Sequence, residues 1–120
     1  AHILGKPMGY VRGSSKSHGR NNRIEGKLEK GDKVVVVEDL ISTGGSSIEV
    51  VEALRESGAE VLAVISIFTY ETAKADKNFQ DANVEKLSLC TISELIDTAV
   101  AENYVTSEEG KGIIEWLREI

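Results

Sequence analysis

The sequence lacks the features that mark secreted and membrane-spanning proteins. It contains a single cysteine, Cys90, so no disulfide can form within the chain. One free thiol suits the reducing cytoplasm. No apolar run approaches the roughly 20 residues that a membrane-spanning helix requires, and no basic and apolar leader with a cleavage site indicates secretion. We therefore expect a cytoplasmic protein with no membrane partner.

Common ligand-binding motifs are missing as well. No Gly-Lys-Ser/Thr ending marks a Walker-type loop, no G-x-G-x-x-G marks a dinucleotide-binding fold, and no Cys/His cluster has the spacing of a zinc site. The 120 residues suffice for one domain with one core and are too few for two ordinary domains. We therefore expect residues 1–120 to form a single domain.

Charge is unevenly distributed along the sequence. The net charge of -6 divides into +5 over residues 1–30 and -11 over the rest, as counted from the sequence. A basic segment on an acidic protein favours an anionic small ligand over nucleic acid, which usually meets a broadly basic face. The alternative is a solvated loop whose charges balance the acidic remainder.

Hydrophobic periodicity predicts an α/β fold with a largely parallel sheet. The β-branched run Lys33–Asp39 is typical of a strand buried on both faces, and it opens a right-handed strand–helix–strand unit. Residues 13–23 contain no apolar side chain and are predicted to form a loop. The predicted strands are Met8–Arg12, Lys33–Asp39, Glu60–Phe68 and Val84–Cys90, and the predicted helices are Ser46–Ser57, Tyr70–Asn83, Thr91–Asn103 and Ser107–Ile120.

The stretch VVVVEDLISTGGSS, Val34–Ser47, combines acids, hydroxyls and glycines behind a predicted strand. In open α/β sheets, ligands bind beyond the carboxyl ends of the strands. The helix that follows would offer free N–H groups to an anion, while hydroxyls and glycines in Ser42–Ser46 allow donors and backbone to approach a phosphate. Glu38 and Asp39 could accept hydrogen bonds from sugar hydroxyls or face a metal ion. The stretch thus predicts a sugar-phosphate site.

An ordinary helix start is the alternative interpretation of the same stretch. Ser46 and Glu49 have the spacing of a capping box, and the same spacing recurs at Thr91 and Glu94. In that case, the acids at the strand end would merely be solvated.

The pattern of four apolar residues, two acids, two apolar residues and STGGSS resembles the phosphoribosyl pyrophosphate (PRPP) motif of type I phosphoribosyltransferases. The resemblance implies a Rossmann-like parallel-sheet fold, truncated at the N-terminus because complete family members are longer there. It implies that Glu38 and Asp39 bind the ribose hydroxyls, that Asp39 is catalytic, and that Ser42 also touches the base. The PRPP-binding residues that it implies in this stretch are Glu38, Asp39, Leu40, Ile41, Ser42, Thr43, Gly44, Gly45 and Ser46.

The basic loop YVRGSSKSHGRNN, Tyr10–Asn22, narrows the resemblance to orotate phosphoribosyltransferases, whose catalytic loop has an Arg, then a Lys, then His-Gly. The resemblance implies that Arg12, Lys16 and His18 bind the diphosphate of PRPP and that Lys16 and His18 are catalytic. It also implies a homodimer in which this loop reaches the neighbouring subunit. Independently, a transferase that expels pyrophosphate must neutralise the charge developing on it, which preorganised cations in a closed site do best.

The implied reaction transfers the 5-phosphoribosyl group from PRPP to orotate and gives orotidine 5′-monophosphate and pyrophosphate, a step of pyrimidine biosynthesis. The resemblance implies that Mg²⁺ is carried on the diphosphate oxygens, with no direct protein ligand. Two alternatives stay open: a type I transferase acting on a purine base, and a non-catalytic regulator that senses PRPP. The Lys-x-His-Gly loop argues against both, and no nucleic-acid-binding module is visible.

The sequence departs from the family pattern in three ways. Gly13 stands where family members often carry a second basic residue. FTYETAK, Phe68–Lys74, lacks the Arg with which many of them bind orotate. Ala1 is not an initiator methionine, and Gly5 follows what resembles the last turn of a helix. We therefore expect the chain to be a fragment. If catalysis needs the missing parts, the fragment is inactive alone.

Overall fold

The computed structural model describes residues 1–12 and 24–120. Residues 13–23, and with them the predicted loop that carries Lys16 and His18, lie outside the described residues. No helix in the described ranges combines the length and the apolar content needed to cross a membrane. In chain order the elements are β1 (Tyr10–Val11), β2 (Ile24–Glu25), β3 (Lys33–Ile41), α1 (Gly45–Glu56), β4 (Glu60–Thr69), α2 (Ala73–Asp81), β5 (Glu85–Thr91), α3 (Ile92–Ala101) and α4 (Ser107–Glu119).

A parallel sheet with the strand order β3–β4–β5 forms the centre of the fold. Helix α1 connects β3 to β4, and α2 connects β4 to β5. In the sheet register, Glu38 pairs with Ser66, and Ser66 pairs with Ser88. This arrangement confirms the predicted α/β class, and it brings the loops after all three strands to one edge of the sheet.

The main core lies between the sheet and the two helices that connect its strands. Val51 of α1 and Val64 of β4 are completely buried at its centre, and burial of such a side chain contributes about 1.5–3 kcal/mol. The core continues to Ala75 and Phe79 of α2. A smaller cluster joins Ile92 and Ile96 of α3 to Leu117 of α4.

The opposite face of the sheet is largely exposed among the described residues. Along β3, Val36 is 8% exposed, whereas Val35 and Val37 are 44% and 78% exposed. Ile67 of β4 and Leu89 of β5 are exposed as well. The prediction of a strand buried on both faces is therefore wrong for this part of the chain, because α1 and α2 both pack on the same side of the sheet.

The two predicted capping boxes have different outcomes. At α3, the hydroxyl of Thr91 accepts a hydrogen bond from the Glu94 N–H at 3.2 Å, so the predicted cap is confirmed. The Glu94 carboxylate accepts a bond of 3.2 Å from the Thr91 hydroxyl and not from the Thr91 backbone N–H, so the box is only half formed. At α1, the prediction for Ser46 and Glu49 is wrong, because the helix begins one residue earlier and its cap is Gly44. Gly44 has a left-handed backbone and no side chain, so it cannot supply the hydroxyl that a capping box needs.

Candidate functional site

The two acids predicted to bind the ribose lie near the C-terminal end of β3. Glu38 faces α1, and its Oε2 accepts a hydrogen bond of 2.8 Å from the hydroxyl of Ser47. Asp39 is exposed, and its Oδ1 accepts a hydrogen bond of 2.7 Å from the N–H of Leu40. Successive strand residues point to opposite faces, so the two carboxylates leave β3 on opposite sides.

Ser47 is a contributor to the site that the sequence interpretation missed. It is 1% exposed and lies in the first turn of α1, above the strand that carries Glu38. The buried hydroxyl therefore fixes the orientation of the Glu38 carboxylate. The signal that could have found it is its position in the first helical turn, where a short polar side chain reaches back to the preceding strand.

The loop between β3 and α1 is held from the side of α2. The hydroxyl of Thr72 donates a hydrogen bond of 2.7 Å to the carbonyl of Ser42. The side-chain amide of Asn78 donates a bond of 2.8 Å to the carbonyl of Thr43. Neither donor belongs to the predicted motif, because both come from the segment after β4.

Gly44 is the residue at which the chain turns into α1. Its φ of 84° and ψ of 1° lie in the left-handed region, which favours glycine. A Cβ built at this position would stand 2.6 Å from Cε2 of Phe79, a distance that real Cβ atoms essentially never show. Glycine is thus required here both by the backbone and by the ring beneath it.

The start of α1 is open to an anion. No side chain in the described part of the chain caps it, and Gly45 and Ser46 are exposed. The first N–H groups of a helix have no partner within the helix, and the positive end of the helix dipole lies there. These groups, together with the hydroxyls of Ser42, Thr43 and Ser46, can bind a phosphate.

The predicted diphosphate ligand Arg12 lies at the end of β1. Its Nη2 forms an ion pair of 2.7 Å with Oε1 of Glu25, and β1 pairs antiparallel with β2, with Val11 opposite Ile24. Val11 and Ile24 also pack against the main core. The two ends that flank residues 13–23 are thus joined and anchored, while the roles of Lys16 and His18 stay predictions.

The loop after β4 meets the end of β3 at the same edge of the sheet. The N–H of Tyr70 donates a bond of 3.1 Å to the carbonyl of Ile41. The next residue, Glu71, has a left-handed φ of 52°, and its Oε1 accepts bonds from the N–H and the hydroxyl of Ser93 at 3.2 and 2.6 Å. Glu71 therefore joins this loop to the first turn of α3.

A protein-bound metal centre has no support within residues 1–12 and 24–120. No group of three or more His, Cys, Asp or Glu side chains in these ranges is arranged to hold a metal ion. The predicted Mg²⁺ would take its ligands from the diphosphate of the substrate, so its binding stays a prediction.

Comparison with known proteins identifies the family of this chain. Residues 1–103 match the family model described as the phosphoribosyl transferase domain. The chain belongs to this family. A phosphoribosyl transferase domain with an acidic pair on β3 and an uncapped α1 agrees with the PRPP motif that the sequence resembles.

Two curated relatives are orotate phosphoribosyltransferases. The enzyme of Staphylococcus saprophyticus is 52% identical over 113 residues, and that of Listeria innocua is 52% identical over 116 residues. The matches cover 94% and 97% of this chain and 56% of each relative. The predicted resemblance is confirmed, and the chain spans about half the length of the curated relatives it matches.

Two solved structures agree with the fold. UMP synthase of Leishmania donovani has a TM-score of 0.79 and 24% identity, over 99% of this chain and 25% of that protein. Orotate phosphoribosyltransferase of Mycobacterium tuberculosis, solved in complex with PRPP, has a TM-score of 0.62 and 28% identity, over 74% of this chain and 49% of that protein. These likenesses confirm the predicted phosphoribosyltransferase fold.

Proposed function

We propose that the full-length protein is a cytoplasmic orotate phosphoribosyltransferase. It transfers the 5-phosphoribosyl group of PRPP to orotate and releases orotidine 5′-monophosphate and pyrophosphate. The observation that carries this proposal is the uncapped start of α1 directly behind the acidic pair of β3. Relatives with 52% identity that bear this name support it.

The 5-phosphate is proposed to bind at the start of α1. The backbone N–H groups and hydroxyls of Ser42–Ser46 are its donors, and the helix dipole favours its negative charge. Leu40 and Ile41 join this loop to the acidic pair, and Ile41, only 1% exposed, anchors the loop in the core. Phosphate and ribose are thereby held at a fixed separation.

The acidic pair is proposed to hold the ribose and to stabilise its charge. Asp39 is exposed and able to accept hydrogen bonds from ribose hydroxyls, and Glu38 is oriented by Ser47. When the bond between the anomeric carbon and the diphosphate oxygen breaks, its electron pair leaves with pyrophosphate and positive charge develops on the sugar. Two nearby carboxylates stabilise that charge until a ring nitrogen of orotate forms the new bond. The proton that this nitrogen loses leaves with pyrophosphate.

The leaving pyrophosphate is proposed to meet the basic side chains of the loop after β1. Arg12 and Lys16 neutralise its charge, and His18 donates a hydrogen bond or a proton to it, since imidazole titrates near neutral pH. In the proposed homodimer, this loop reaches the neighbouring subunit's site and excludes water from it. Mg²⁺ carried on the diphosphate oxygens supplies further neutralisation.

Base recognition is proposed to involve Ser42, which is exposed at the end of β3. Its hydroxyl is free to turn toward a base, because the bond with Thr72 uses its carbonyl. The segment Phe68–Lys74 contains no Arg, and Glu71 in it is bound to Ser93. The cation in this segment is Lys74, which is exposed, so the segment offers a lysine and no Arg to the carboxylate of orotate.

The test is an assay of pyrophosphate release by the full-length protein, with PRPP and orotate, adenine, hypoxanthine or uracil in turn. Of the four bases, we expect only orotate to support turnover. We also expect turnover to depend on Mg²⁺, which a chelator checks. Turnover with adenine or hypoxanthine but not with orotate would contradict the assignment and favour a purine-base transferase. Tight PRPP binding with no turnover on any base would favour the regulator.

A further inference from the structure

The loop between β3 and α1, Ser42–Gly44, is proposed to bind the phosphate and is called the phosphate loop below. It is held by two side chains from a different strand–helix unit. Thr72 is 2% exposed and caps α2, accepting a bond from the Ala75 N–H at 3.1 Å. The same hydroxyl donates its hydrogen to the carbonyl of Ser42. Asn78, more than one turn further along, donates to the carbonyl of Thr43. Two successive carbonyls of the loop are thus fixed by α2 and its cap.

These two bonds also determine where the neighbouring N–H groups point. A trans peptide group is planar, with its C=O and its N–H directed to opposite sides. Because the carbonyl of Ser42 points to Thr72, the N–H of Thr43 points away from α2. Likewise, because the carbonyl of Thr43 points to Asn78, the N–H of Gly44 points away from it. Both N–H groups are therefore directed away from α2, and no side chain of the described residues caps the start of α1.

The peptide group between Thr43 and Gly44 needs this restraint more than most. Glycine adopts left-handed and right-handed backbone conformations with similar ease, so the peptide before Gly44 meets little resistance to rotation. A rotated peptide would present its carbonyl oxygen to a bound phosphate in place of the N–H, exchanging an attraction for a repulsion. The amide of Asn78 holds the carbonyl on the other side.

We propose that Thr72 and Asn78 are positioning residues for the 5-phosphate, which orient the Thr43 and Gly44 N–H groups toward it. The identity of the ligand rests on the proposed function, whereas the orientation rests on the two hydrogen bonds. The positioning role of Asn78 can be tested separately from packing, because the side chain directly beneath Gly44 is the ring of Phe79.

Asn78 offers the cleaner test, because Thr72 also caps α2. In the full-length protein, Asn78→Ala removes the donor, and Asn78→Asp keeps the shape but places an acceptor against the carbonyl. Gln80→Ala is the matched control, since it removes an exposed amide from the same helix. For Thr72, the conservative variant Thr72→Ser retains the hydroxyl and is expected to bind like the wild type.

The measurement is the Kd of ribose 5-phosphate by calorimetry, with the ¹H–¹⁵N signal of Gly44 followed during titration with inorganic phosphate. We expect Asn78→Ala to weaken binding about 3- to 10-fold, the range for loss of one hydrogen bond, and Asn78→Asp to weaken it further. The phosphate-induced shift of the Gly44 signal should shrink in both. In turnover, the KM for PRPP should rise with little change in kcat.

The outcomes separate this inference from the proposed function. Unchanged ribose 5-phosphate binding in Asn78→Ala and Asn78→Asp would overturn the positioning role, even if the wild type uses orotate. Weakened binding in both variants, with no orotate turnover by the wild type, would support the positioning role and reject the orotate assignment. Equal loss in Gln80→Ala would overturn the inference, since the effect would then come from α2 in general.

Discussion

The buried hydroxyl of Ser47 donates a 2.8 Å hydrogen bond to the carboxylate of Glu38, across the junction of α1 and β3. The bond links the helix whose start is the proposed phosphate site to one of the two acids proposed to hold the ribose. A charged acceptor makes such a bond stronger than one between neutral groups. Ser47 thus joins the two halves of the site, although it is the last residue of the motif and was given no role there.

Replacement of Ser47 by alanine tests this link. We expect Ser47→Ala to lower kcat/KM for PRPP about 10- to 160-fold, corresponding to the roughly 1.5–3 kcal/mol of a hydrogen bond to a charged group. The matched control is Ser66→Ala, which removes an equally buried hydroxyl bonded to Ser88 and not to an acid. If Ser47 acts through Glu38, the effects of Ser47→Ala and Glu38→Gln should be less than additive; full additivity would contradict it.

Gly44→Ala is expected to damage both stability and phosphate binding. The left-handed φ costs a non-glycine residue about 1–3 kcal/mol, and the new Cβ would collide with Phe79. Chemical denaturation of the full-length protein measures the loss of stability. Gly45→Ala is the control for stability, because its Cβ would meet only the Thr43 hydroxyl oxygen at 3.8 Å. Equal free energies of unfolding for the two variants would show that the conformation of Gly44 is not required.

Lys16→Ala is expected to reduce turnover sharply and to leave ribose 5-phosphate binding nearly intact, because a lysine on the diphosphate acts mainly as charge builds up on the leaving group. Steady-state kinetics and calorimetry on the full-length protein measure the two effects. Lys27→Ala, at an exposed lysine just after β2, is the control. Equal loss of turnover and of ribose 5-phosphate binding would mean that the role assigned to Lys16 is wrong.

A mixing experiment tests the proposed homodimer. Lys16→Ala and Asp39→Asn subunits should each be inactive, and their mixture should regain activity if the loop of one subunit completes the neighbouring site. Size-exclusion chromatography checks that mixed dimers form. Mixed dimers with no recovered activity would show that each loop serves its own subunit.

The stability of the first turn of α4 should depend on pH. Hydrogen bonds from the backbone N–H and the hydroxyl of Thr106 lower the pKa of Glu109 from its ordinary value of 4.5, and the two residues form a capping box. A lowered pKa means that the box stabilises the folded state above pH 4.5 and that this stabilisation disappears as pH falls through the lowered value.

Amide hydrogen exchange in the first turn of α4 measures this effect, with faster exchange expected at acid pH after correction for intrinsic rates. Glu109→Gln is the control, because glutamine can also close a capping box but does not titrate in this range. Identical pH dependence in the wild type and in Glu109→Gln would contradict the assignment to Glu109.

Features encoded by neighbouring residues were predictable from the sequence. The β-branched run of β3, the acidic pair after it and the cap at Thr91 are local patterns, and the structure contains all three. The exposure of Val37 was not predictable in this way, because the residues of a strand do not indicate on which face of the sheet the helices will pack. Trp116 is likewise 61% exposed, although its helix carries the apolar pattern of a packed element.

The missed parts of the site depend on contacts between distant residues. Asn78 bonds to a carbonyl 35 residues earlier, and nothing around it in the sequence indicates this contact. The bond from Ser47 to Glu38 spans only nine residues, yet it needs the docking angle of α1 on β3 to be known. Spatial arrangement, and not residue type, determined which side chains the sequence interpretation overlooked.

The support of the phosphate loop by α2 limits what the motif can do when it is moved. A graft of Val34–Ser47 onto another strand and helix would carry the acids, the hydroxyls and Gly44 with its left-handed turn. It would leave behind Thr72 and Asn78, whose hydrogen bonds hold the loop carbonyls. The smallest portable unit is therefore two consecutive strand–helix units, and a protein that shares only the fourteen letters shares the recognition pattern without its scaffold.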